Sequence, residues 1–198
     1  MSQLIESIRL FDGQFSNLSF HEQRMNNSFK QLFGRTVKTN LYQYLTSMEF
    51  PSSGLYKCRV LYDHQAMTTE FLAYTFKPVT SLKLVESDAI LYDHKYVDRS
   101  LINQLMEKRG ACDDILIIKK GCVTDSSYAN IVFKKESKWY TPYSYLLKGT
   151  MRENLLQSGK IIEDAISVND IANFEKFKLI NSMLGFEGQE CDISNIFK

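Results

Sequence analysis

The residues best suited to chemistry lie in segment 121–131 and at Lys95, thirty positions before Asp125. The segment reads Gly-Cys-Val-Thr-Asp-Ser-Ser-Tyr-Ala-Asn-Ile, which predicts an acid, Asp125, in a turn that leads into an apolar strand. A lysine amine can hold an aldehyde cofactor as a Schiff base, and an acid can keep a pyridine nitrogen protonated so that the ring accepts electrons. A pyridoxal phosphate (PLP) enzyme requires both groups. Spacing alone does not identify one, because a chain of this size contains many Lys/Asp pairs.

Two further features could bind a phosphate group. Gly149, followed by Thr150 and Met151, predicts a glycine turn entering a helix, where free N–H groups and the helix dipole favour an anion. An ordinary helix start is the alternative. Asn181 and Ser182 end a predicted apolar strand and could donate hydrogen bonds to the same phosphate.

Two arginines are candidates for binding anions. Arg24 lies on the first predicted helix and could bind phosphate by a two-pronged hydrogen bond, or could simply face solvent. Arg59 lies in an apolar strand and shares one face of it with Lys57. That face either is exposed to water or lines a polar cleft.

Apolar periodicity and turn residues predict many short strands with interspersed helices. Strands are predicted at 4–11, 15–18, 55–62, 67–76, 82–86, 114–119, 129–134, 138–140, 160–165 and 177–183. Helices are predicted at 19–33, 41–48, 98–109 and 149–157, with a short one beginning near 167. Pro78 marks a linker at 77–80, since proline breaks both ladder and helix. The pattern indicates an α+β protein in two lobes.

Composition excludes several classes of function. Net charge is +1 and no basic stripe is present, so nucleic-acid binding is not expected, and no apolar run approaches the length that spans a bilayer. Four cysteines and three histidines are dispersed without ligand spacing, so reduced thiols and no metal site are expected. The N-terminus lacks the basic-then-apolar pattern of a secretion signal, which favours a cytoplasmic protein.

Taken in order, these elements resemble the class IV aminotransferase family, the fold-type IV PLP enzymes, over nearly the whole chain. The resemblance rests on Ile5-Glu6-Ser7-Ile8-Arg9 before Asp12-Gly13, His21-x-x-Arg24, Lys95, Val123-Thr124-Asp125-x-x-x-Ala129-Asn130-Ile131, Thr141-Pro142, Gly149-x-x-Arg152 and Asn181-Ser182. The family's D-amino-acid aminotransferase-like fold implies a small, shortened α+β lobe at 1–78 and a larger, barrel-like PLP-binding lobe at 79–198. The cofactor is then expected between the lobes of a homodimer that acts on a small-molecule substrate.

The resemblance also implies roles for individual residues. Lys95 would be the Schiff-base lysine and the acid–base group, and Asp125 would pair with the pyridinium nitrogen. Arg59 would meet a substrate carboxylate. The cofactor phosphate would be held by Arg24, the amides of Thr150 and Met151, and Asn181 with Ser182.

Within the family, the motif details are similar to 4-amino-4-deoxychorismate lyase. Lys95-Tyr96-Val97-Asp98-Arg99 resembles its Lys-x-x-Asn-Arg run, and Gly149-Thr150-Met151-Arg152 its Gly-Ile-Met-Arg. The implied reaction removes pyruvate from 4-amino-4-deoxychorismate to give 4-aminobenzoate for folate synthesis. One alternative is an aminotransferase for branched-chain or D-amino acids. The other is a binding protein that has lost catalysis, because Asp125 replaces the family's usual glutamate and the first lobe is shortened.

Overall fold

A computed structural model describes residues 3–35 and 40–198. Met1 and Ser2, part of the N-terminus that was expected to lack a secretion signal, lie outside the described residues. The chain divides into two compact units. The first comprises Met1–Phe76 and His94–Asp98, and the second comprises Lys77–Asp93 and Arg99–Lys198. The sequence predicted one boundary at residue 78. That division into two lobes stays a prediction; in the structure, the short segment around Lys95 returns to the first unit after the chain has already entered the second.

The first unit contains an antiparallel sheet and two helices. Among the described residues, its elements are β1 (Leu4–Phe11), β2 (Gln14–Phe15), α1 (Leu18–Phe33), α2 (Leu41–Thr46), β3 (Leu55–Tyr62) and β4 (Met67–Ala73). The strand order is β2-β1-β3-β4, and β1 pairs with β3 along its whole length. Asp12 and Gly13 have φ values of 46° and 74° and form the tight turn between β1 and β2.

The core of the first unit lies between the sheet and the helices. Side chains alternate along a strand, so one face of β1 and β3 contributes every second residue to the core. The core residues are Leu4, Ile8, Met25, Leu41, Leu45, Cys58, Val60 and Tyr62. Glu6 lies between Leu4 and Ile8 on this same face of β1 and is 0% exposed. The strand therefore places a carboxylate inside an apolar core.

The segment His94–Asp98 pairs with the beginning of β1. Leu4 and Tyr96 form an antiparallel bridge, in which the Ile5 amide donates to the Lys95 carbonyl and the Val97 amide to the Gln3 carbonyl, each at 2.9 Å. Tyr96 also packs against the core of the first unit. These contacts fix the backbone of Lys95 to the first unit.

The second unit is larger and is also built of strands and short helices. Its described strands are β5 (Leu82–Glu86), β6 (Asp114–Lys119), β7 (Cys122–Ser126), β8 (Asn130–Lys135), β9 (Lys138–Pro142), β10 (Ile162–Asp164), β11 (Lys176–Ile180), β12 (Cys191–Asp192) and β13 (Ile196–Phe197). Its helices are α3 (Ser100–Met106) and α4 (Thr150–Gln157), with 3₁₀ turns at Glu107–Arg109, Ile171–Asn173 and Ile193–Asn195. The predicted α+β class is confirmed.

The strands of the second unit form one mixed sheet. The main path runs β10-β9-β8-β7-β6-β5-β13, and β11 pairs with both β8 and β12. Parallel pairing joins β5 to β6 and β10 to β9, whereas β6, β7, β8 and β9 pair antiparallel in succession. A core that includes Leu116, Ile131, Phe133 and Phe177 covers one part of this sheet.

The position of Asp125 within this sheet differs from the sequence prediction. Asp125 lies in strand β7, not in a turn. The turn before it is formed by Lys120 and Gly121, whose φ values of 51° and 74° suit a tight hairpin between β6 and β7. A second tight turn follows, in which the Ser126 amide donates to the Ala129 carbonyl at 2.9 Å. The carboxylate of Asp125 is thus held on a sheet rather than on a loop.

Candidate active site

Lys95 is half-buried and belongs to the first unit. The Lys95 carbonyl accepts a hydrogen bond from the Ile5 amide. The neighbouring residue His94 is also anchored, because its Nδ1 lies 3.0 Å from Ser28 Oγ on α1. The positive charge of Lys95 is near enough to His21 to contribute to lowering the pKa of that histidine. Lys95 therefore lies close to the part of α1 that carries His21 and Arg24.

Arg24 is bound to Glu6. The sequence motifs had assigned no role to Glu6. The Arg24 Nε donates to Glu6 Oε1 at 3.0 Å and its Nη2 to Oε2 at 2.5 Å. His21 Nδ1 lies 2.6 Å from the same Oε2. Glu6 and His21 are fully buried, and the Arg24 side chain is 12% exposed. Glu6 was detectable in the sequence as the one acid in the apolar register Leu4, Glu6, Ile8.

The electrostatics of this cluster favour an ionised Glu6. Burial alone would raise the pKa of Glu6, but the Arg24 charge and the hydrogen bonds from His21 and Arg24 lower it to about 2. Burial lowers the pKa of His21, and the Arg24 and Lys95 charges act in the same direction, opposing the effect of Glu6. An ionised carboxylate can only accept, so Nδ1 of a neutral His21 donates its hydrogen to Glu6.

Arg59 lies away from this cluster. Along β3, Cys58, Val60 and Tyr62 face the core, so Arg59 projects from the opposite face of the sheet. It pairs with Glu70, its register partner on β4, and the two side chains are 31% and 45% exposed. The structure thus places Arg24 and Arg59 on different faces of the sheet, and the role of Arg59 with a substrate carboxylate stays a prediction.

Asp125 is 6% exposed and is held by three hydrogen bonds in the second unit. Its Oδ1 accepts from Asn130 Nδ2 at 2.8 Å, and its Oδ2 accepts from the amides of Leu146 and Leu147 at 3.1 and 2.9 Å. Burial raises the pKa of Asp125 to about 6, although these hydrogen bonds and the Arg152 charge oppose the rise. The carboxylate ties strand β7 to the loop that leads into α4.

Asn130 extends this contact to the start of α4. Its Nδ2 also donates to the Leu147 carbonyl at 3.0 Å. Its Oδ1 lies so close to Gly149 that a Cβ at position 149 would meet it at 1.9 Å. Only glycine fits there, and α4 begins after it without a side-chain cap. Asp125, Asn130 and the helix start therefore form one continuous arrangement, in which the sequence motif had given Asn130 no role.

The two predicted phosphate segments differ in their surroundings. Thr150 is buried at the first position of α4, and Met151 packs against a core that includes Trp139 and Leu155. Asn181 Oδ1 accepts hydrogen bonds from the amides of Met183 and Leu184, each at 2.9 Å.

Asn181 also reaches toward the turn that follows Asp125. Its Nδ2 lies 3.5 Å from the Tyr128 carbonyl, at the limit of a hydrogen bond, and Ser182 beside it is buried. Within the second unit, the strand of Asp125, the turn at 126–129 and the Asn181 segment thus adjoin one another.

The described part of the chain contains neither a membrane-spanning helix nor a metal-binding cluster. Residues 3–35 and 40–198 contain no helix that is both long and apolar enough to cross a membrane. The same residues contain no group of three or more His, Cys, Asp and Glu side chains arranged to hold a metal ion.

Comparison with known proteins defines the family. The model of the amino-transferase class IV family matches residues 64–187, so the chain belongs to this family, whose members are PLP-dependent lyases and aminotransferases. An uncharacterized protein of Haemophilus influenzae is 39% identical over 188 residues, covering 93% of this chain and all of that protein. A protein of Schizosaccharomyces pombe named "putative aminodeoxychorismate lyase" is 28% identical, covering 91% of this chain and 86% of that protein.

Solved structures agree with this family. A crystal structure named "putative 4-amino-4-deoxychorismate lyase", from Haemophilus somnus 129PT, superposes with a TM-score of 0.88 at 34% identity, covering 94% of this chain and 98% of that one. A PLP-bound hypothetical aminotransferase of Mycobacterium tuberculosis shares the fold, with a TM-score of 0.70 at 15% identity over 92% of this chain and 78% of that one. The cofactor of this family is PLP.

The residues present fit this cofactor. Asp125 Oδ1 accepts one hydrogen bond within the protein, and a carboxylate oxygen has capacity for two. Helix α4 begins at Thr150 without a side-chain cap, and a helix N-terminus favours an anion. Each unit thus offers part of what PLP requires: a lysine with an arginine nearby in the first, and a buried acid with a helix N-terminus in the second.

Proposed function

We propose that this protein is a PLP-dependent lyase that removes pyruvate from 4-amino-4-deoxychorismate and releases 4-aminobenzoate, a reaction of folate synthesis. The observation that supports it most strongly is the 34% identity and 0.88 TM-score with the Haemophilus somnus protein of that name. The lysine and glycine motifs of the sequence favour the same branch of the family.

Lys95 is proposed to bind the aldehyde carbon of PLP through Nζ. The same Nζ would also take a proton from the substrate ring. A lysine acts as a base only when it is neutral, so its pKa has to lie below the ordinary value of about 10.4. PLP supplies the electron sink of the reaction, and the residues of the chain hold it in place.

The remaining predicted residues are proposed to bind the two ends of the cofactor. Asp125, an acid on strand β7, would accept from the pyridine N–H through Oδ1. Arg24 would bind the phosphate from the first unit. The second unit would add the amides of Thr150 and Met151 and the side chains of Asn181 and Ser182. Arg59 is proposed for the substrate carboxylate.

Replacing Lys95 tests the covalent attachment without relying on activity. After incubation with PLP and reduction by borohydride, the wild-type protein should carry one PLP adduct on the peptide that contains Lys95. The Lys95→Ala variant should lose this adduct and the visible absorbance of lysine-bound PLP. The control is Lys138→Ala, which removes an exposed lysine at the start of β9 and should keep both the adduct and the absorbance. Retention of the adduct on the Lys95→Ala variant would remove Lys95 from this role.

An aminotransferase for branched-chain or D-amino acids is the second candidate, favoured by the name of the family model that matches residues 64–187. The two reactions differ in their need for a second substrate. The lyase releases pyruvate from 4-amino-4-deoxychorismate alone, whereas an aminotransferase needs a 2-oxo acid to accept the amino group. Pyruvate release without any added 2-oxo acid supports the lyase. Turnover of amino acids only when a 2-oxo acid is present supports the aminotransferase.

We also propose that the protein is a homodimer in the cytoplasm, as the family resemblance predicts. Light scattering of the purified protein gives the mass of the particle directly. A mass near 46 kDa, twice the chain mass of 23.0 kDa, is expected. A mass near 23.0 kDa at micromolar concentration would contradict the dimer.

A further inference from the structure

We infer that Glu6 is a positioning residue for the phosphate end of the cofactor, and that adjacent residues of β1, Ile5 and Glu6, together set the separation of Lys95 and Arg24. This inference rests on the proposed function, because Lys95 and Arg24 are the proposed attachments for the aldehyde and phosphate ends of PLP. Glu6 itself touches neither the cofactor nor the substrate in this proposal. It acts through Arg24.

The contact between Glu6 and Arg24 has a defined geometry. Both carboxylate oxygens of Glu6 accept from the guanidinium, at 3.0 Å from Nε and 2.5 Å from Nη2. A two-pronged contact of this kind fixes the plane of the guanidinium as well as its position. His21 Nδ1, 2.6 Å from Oε2, restrains the carboxylate in turn. The orientation of Arg24 is therefore determined by β1 and α1 and not by solvent.

A contribution to stability alone does not account for this cluster. Moving two charges out of water costs several kcal/mol per ion, and well-packed apolar residues in the same place are often as stabilising or more so. Glu6 lies in an otherwise apolar register of β1 and is fully buried, yet Arg24 keeps 12% of its side chain exposed. The buried acid thus anchors an arginine whose side chain still reaches the surface.

The same two elements also hold Lys95. On β1, Ile5 donates to the Lys95 carbonyl at 2.9 Å, one residue before Glu6. On α1, Ser28 contacts His94 at 3.0 Å, one turn after Arg24. Two independent routes, one through the strand and one through the helix, therefore connect the backbone of Lys95 to the guanidinium of Arg24. PLP is a rigid ring, so a fixed separation between these two groups preorganises the protein for it.

The experiment compares PLP with pyridoxal, which has the same aldehyde and ring but no phosphate. The dissociation constant of each is measured by fluorescence titration of the PLP-free protein. In the Glu6→Gln variant, PLP is expected to bind about tenfold more weakly, since one charge-assisted contact that orients Arg24 is lost. Pyridoxal binding is expected to change less than twofold. The ratio of the two constants, the dissociation constant of pyridoxal divided by that of PLP, should therefore fall about tenfold.

The matched control is Glu70→Gln. Like Glu6, Glu70 is a carboxylate on the sheet that pairs with an arginine. Its partner is Arg59, and the pair lies on the exposed face. Its ratio should equal that of the wild-type protein. An equal loss of PLP and pyridoxal affinity in Glu6→Gln would mean that Glu6 only supports the fold, and would overturn the inference. Tighter PLP binding would show that Glu6 acts by neutralising Arg24, and would overturn it too.

A second variant covers the case in which Glu6→Gln does not fold. Glu6→Asp keeps the charge but shortens the side chain by about 1.5 Å, one carbon–carbon bond, so it cannot reach both guanidinium nitrogens from the same backbone. A ratio several times lower than in the wild-type protein is expected, and an unchanged ratio in folded Glu6→Asp contradicts the inference. Failure of the wild-type protein itself to bind PLP would instead contradict the proposed function.

Discussion

Replacing Asp125 by asparagine is expected to change the pH dependence of stability in the PLP-free protein. Burial raises the pKa of Asp125 from its ordinary value of 3.8 to about 6, although the hydrogen bonds from Leu147, Asn130 and Leu146 oppose the rise. An acid with a higher pKa in the folded than in the unfolded protein binds its proton more tightly when folded. Its contribution to stability is complete below pH 3.8 and is lost as the pH rises through 6.

The magnitude follows from the two pKa values of Asp125. One pH unit between them corresponds to 1.36 kcal/mol, so ionising this buried carboxyl costs about 3 kcal/mol of folding free energy at high pH. About 2.5 kcal/mol of this is lost between pH 4 and pH 7. In the Asp125→Asn variant, the side chain at position 125 does not ionise. The difference in unfolding free energy, wild type minus variant, should therefore fall by about 2.5 kcal/mol over this interval.

Urea unfolding at a series of pH values measures this difference, and the other titrating groups cancel in the subtraction. Asp192→Asn provides a control of opposite sign, because hydrogen bonds from the Ser194 hydroxyl and amide lower the pKa of Asp192. Its wild-type-minus-variant difference should rise as the pH increases through the range below about 4. A difference for Asp125 that stays flat or rises from pH 4 to pH 7 would refute the reasoning.

Repeating the titration with saturating PLP tests the proposed partner of Asp125. A protonated ring nitrogen opposite Asp125 would favour the ionised carboxylate and lower its pKa. The difference in unfolding free energy, wild type minus Asp125→Asn, should then fall by less between pH 4 and pH 7. A fall of the full size in the PLP-bound protein would contradict the role of Asp125 at the ring nitrogen while leaving its burial as described.

Three further substitutions test the packing and charge arrangement. Gly149→Ala should destabilise the protein by about 2 kcal/mol and weaken PLP binding, because the new Cβ would displace Asn130 Oδ1, 1.9 Å away, together with the two hydrogen bonds of that side chain. Phe133→Ala should cost about 3–5 kcal/mol in urea unfolding, because the ring is fully buried and packs 5.1 Å from the ring of Phe174. Glu6→Gln should remove a loss of stability that the wild-type protein shows on acidification from about pH 4.5 toward pH 2, since the folded pKa of Glu6 is the lower one.

Each of these has a matched control in the same chain. Gly188→Ala also adds a Cβ at a glycine outside the left-handed region, but it meets only the Leu179 carbonyl at 3.4 Å and should be nearly neutral. Phe197→Ala removes a ring that is 46% exposed and should cost little. Glu70→Gln removes an exposed acid and should leave the loss of stability on acidification in place. Equal effects of the two glycine variants, of the two phenylalanine variants, or of Glu6→Gln and Glu70→Gln would contradict the corresponding prediction.

The sequence predicted the local elements better than the pairing between distant segments. Strands at 55–62, 82–86 and 114–119 have the predicted bounds, because alternation and apolar runs are local properties. The sequence prediction placed Asp125 in a turn, since Asp is depleted in strands, whereas the structure buries it in β7 between neighbouring strands. The short strands β12 and β13 also escaped prediction, because two-residue strands exist only through their partners.

The candidate site shows the same limit. The order of several short motifs along the chain predicted roles for Lys95, Asp125 and Gly149, and these roles stay predictions. Nothing local showed that Glu6 binds Arg24, which is 18 residues away on another element. The acid in the apolar register of β1 was a usable signal: a buried carboxylate requires a partner, and an arginine was available. The partner's identity depended on the tertiary fold.

The return of His94–Asp98 to the first unit has a consequence for biosynthesis. A ribosome releases the chain in order, so β1 emerges long before the residues that complete its edge at Gln3–Ile5. About ninety residues separate Ile5 from Lys95, and closing so large a loop is slow compared with forming the neighbouring hairpins. Until then this edge of β1 offers unpaired amides and carbonyls to any other extended chain. The nascent protein is therefore expected to be most prone to aggregation just before the lysine segment docks.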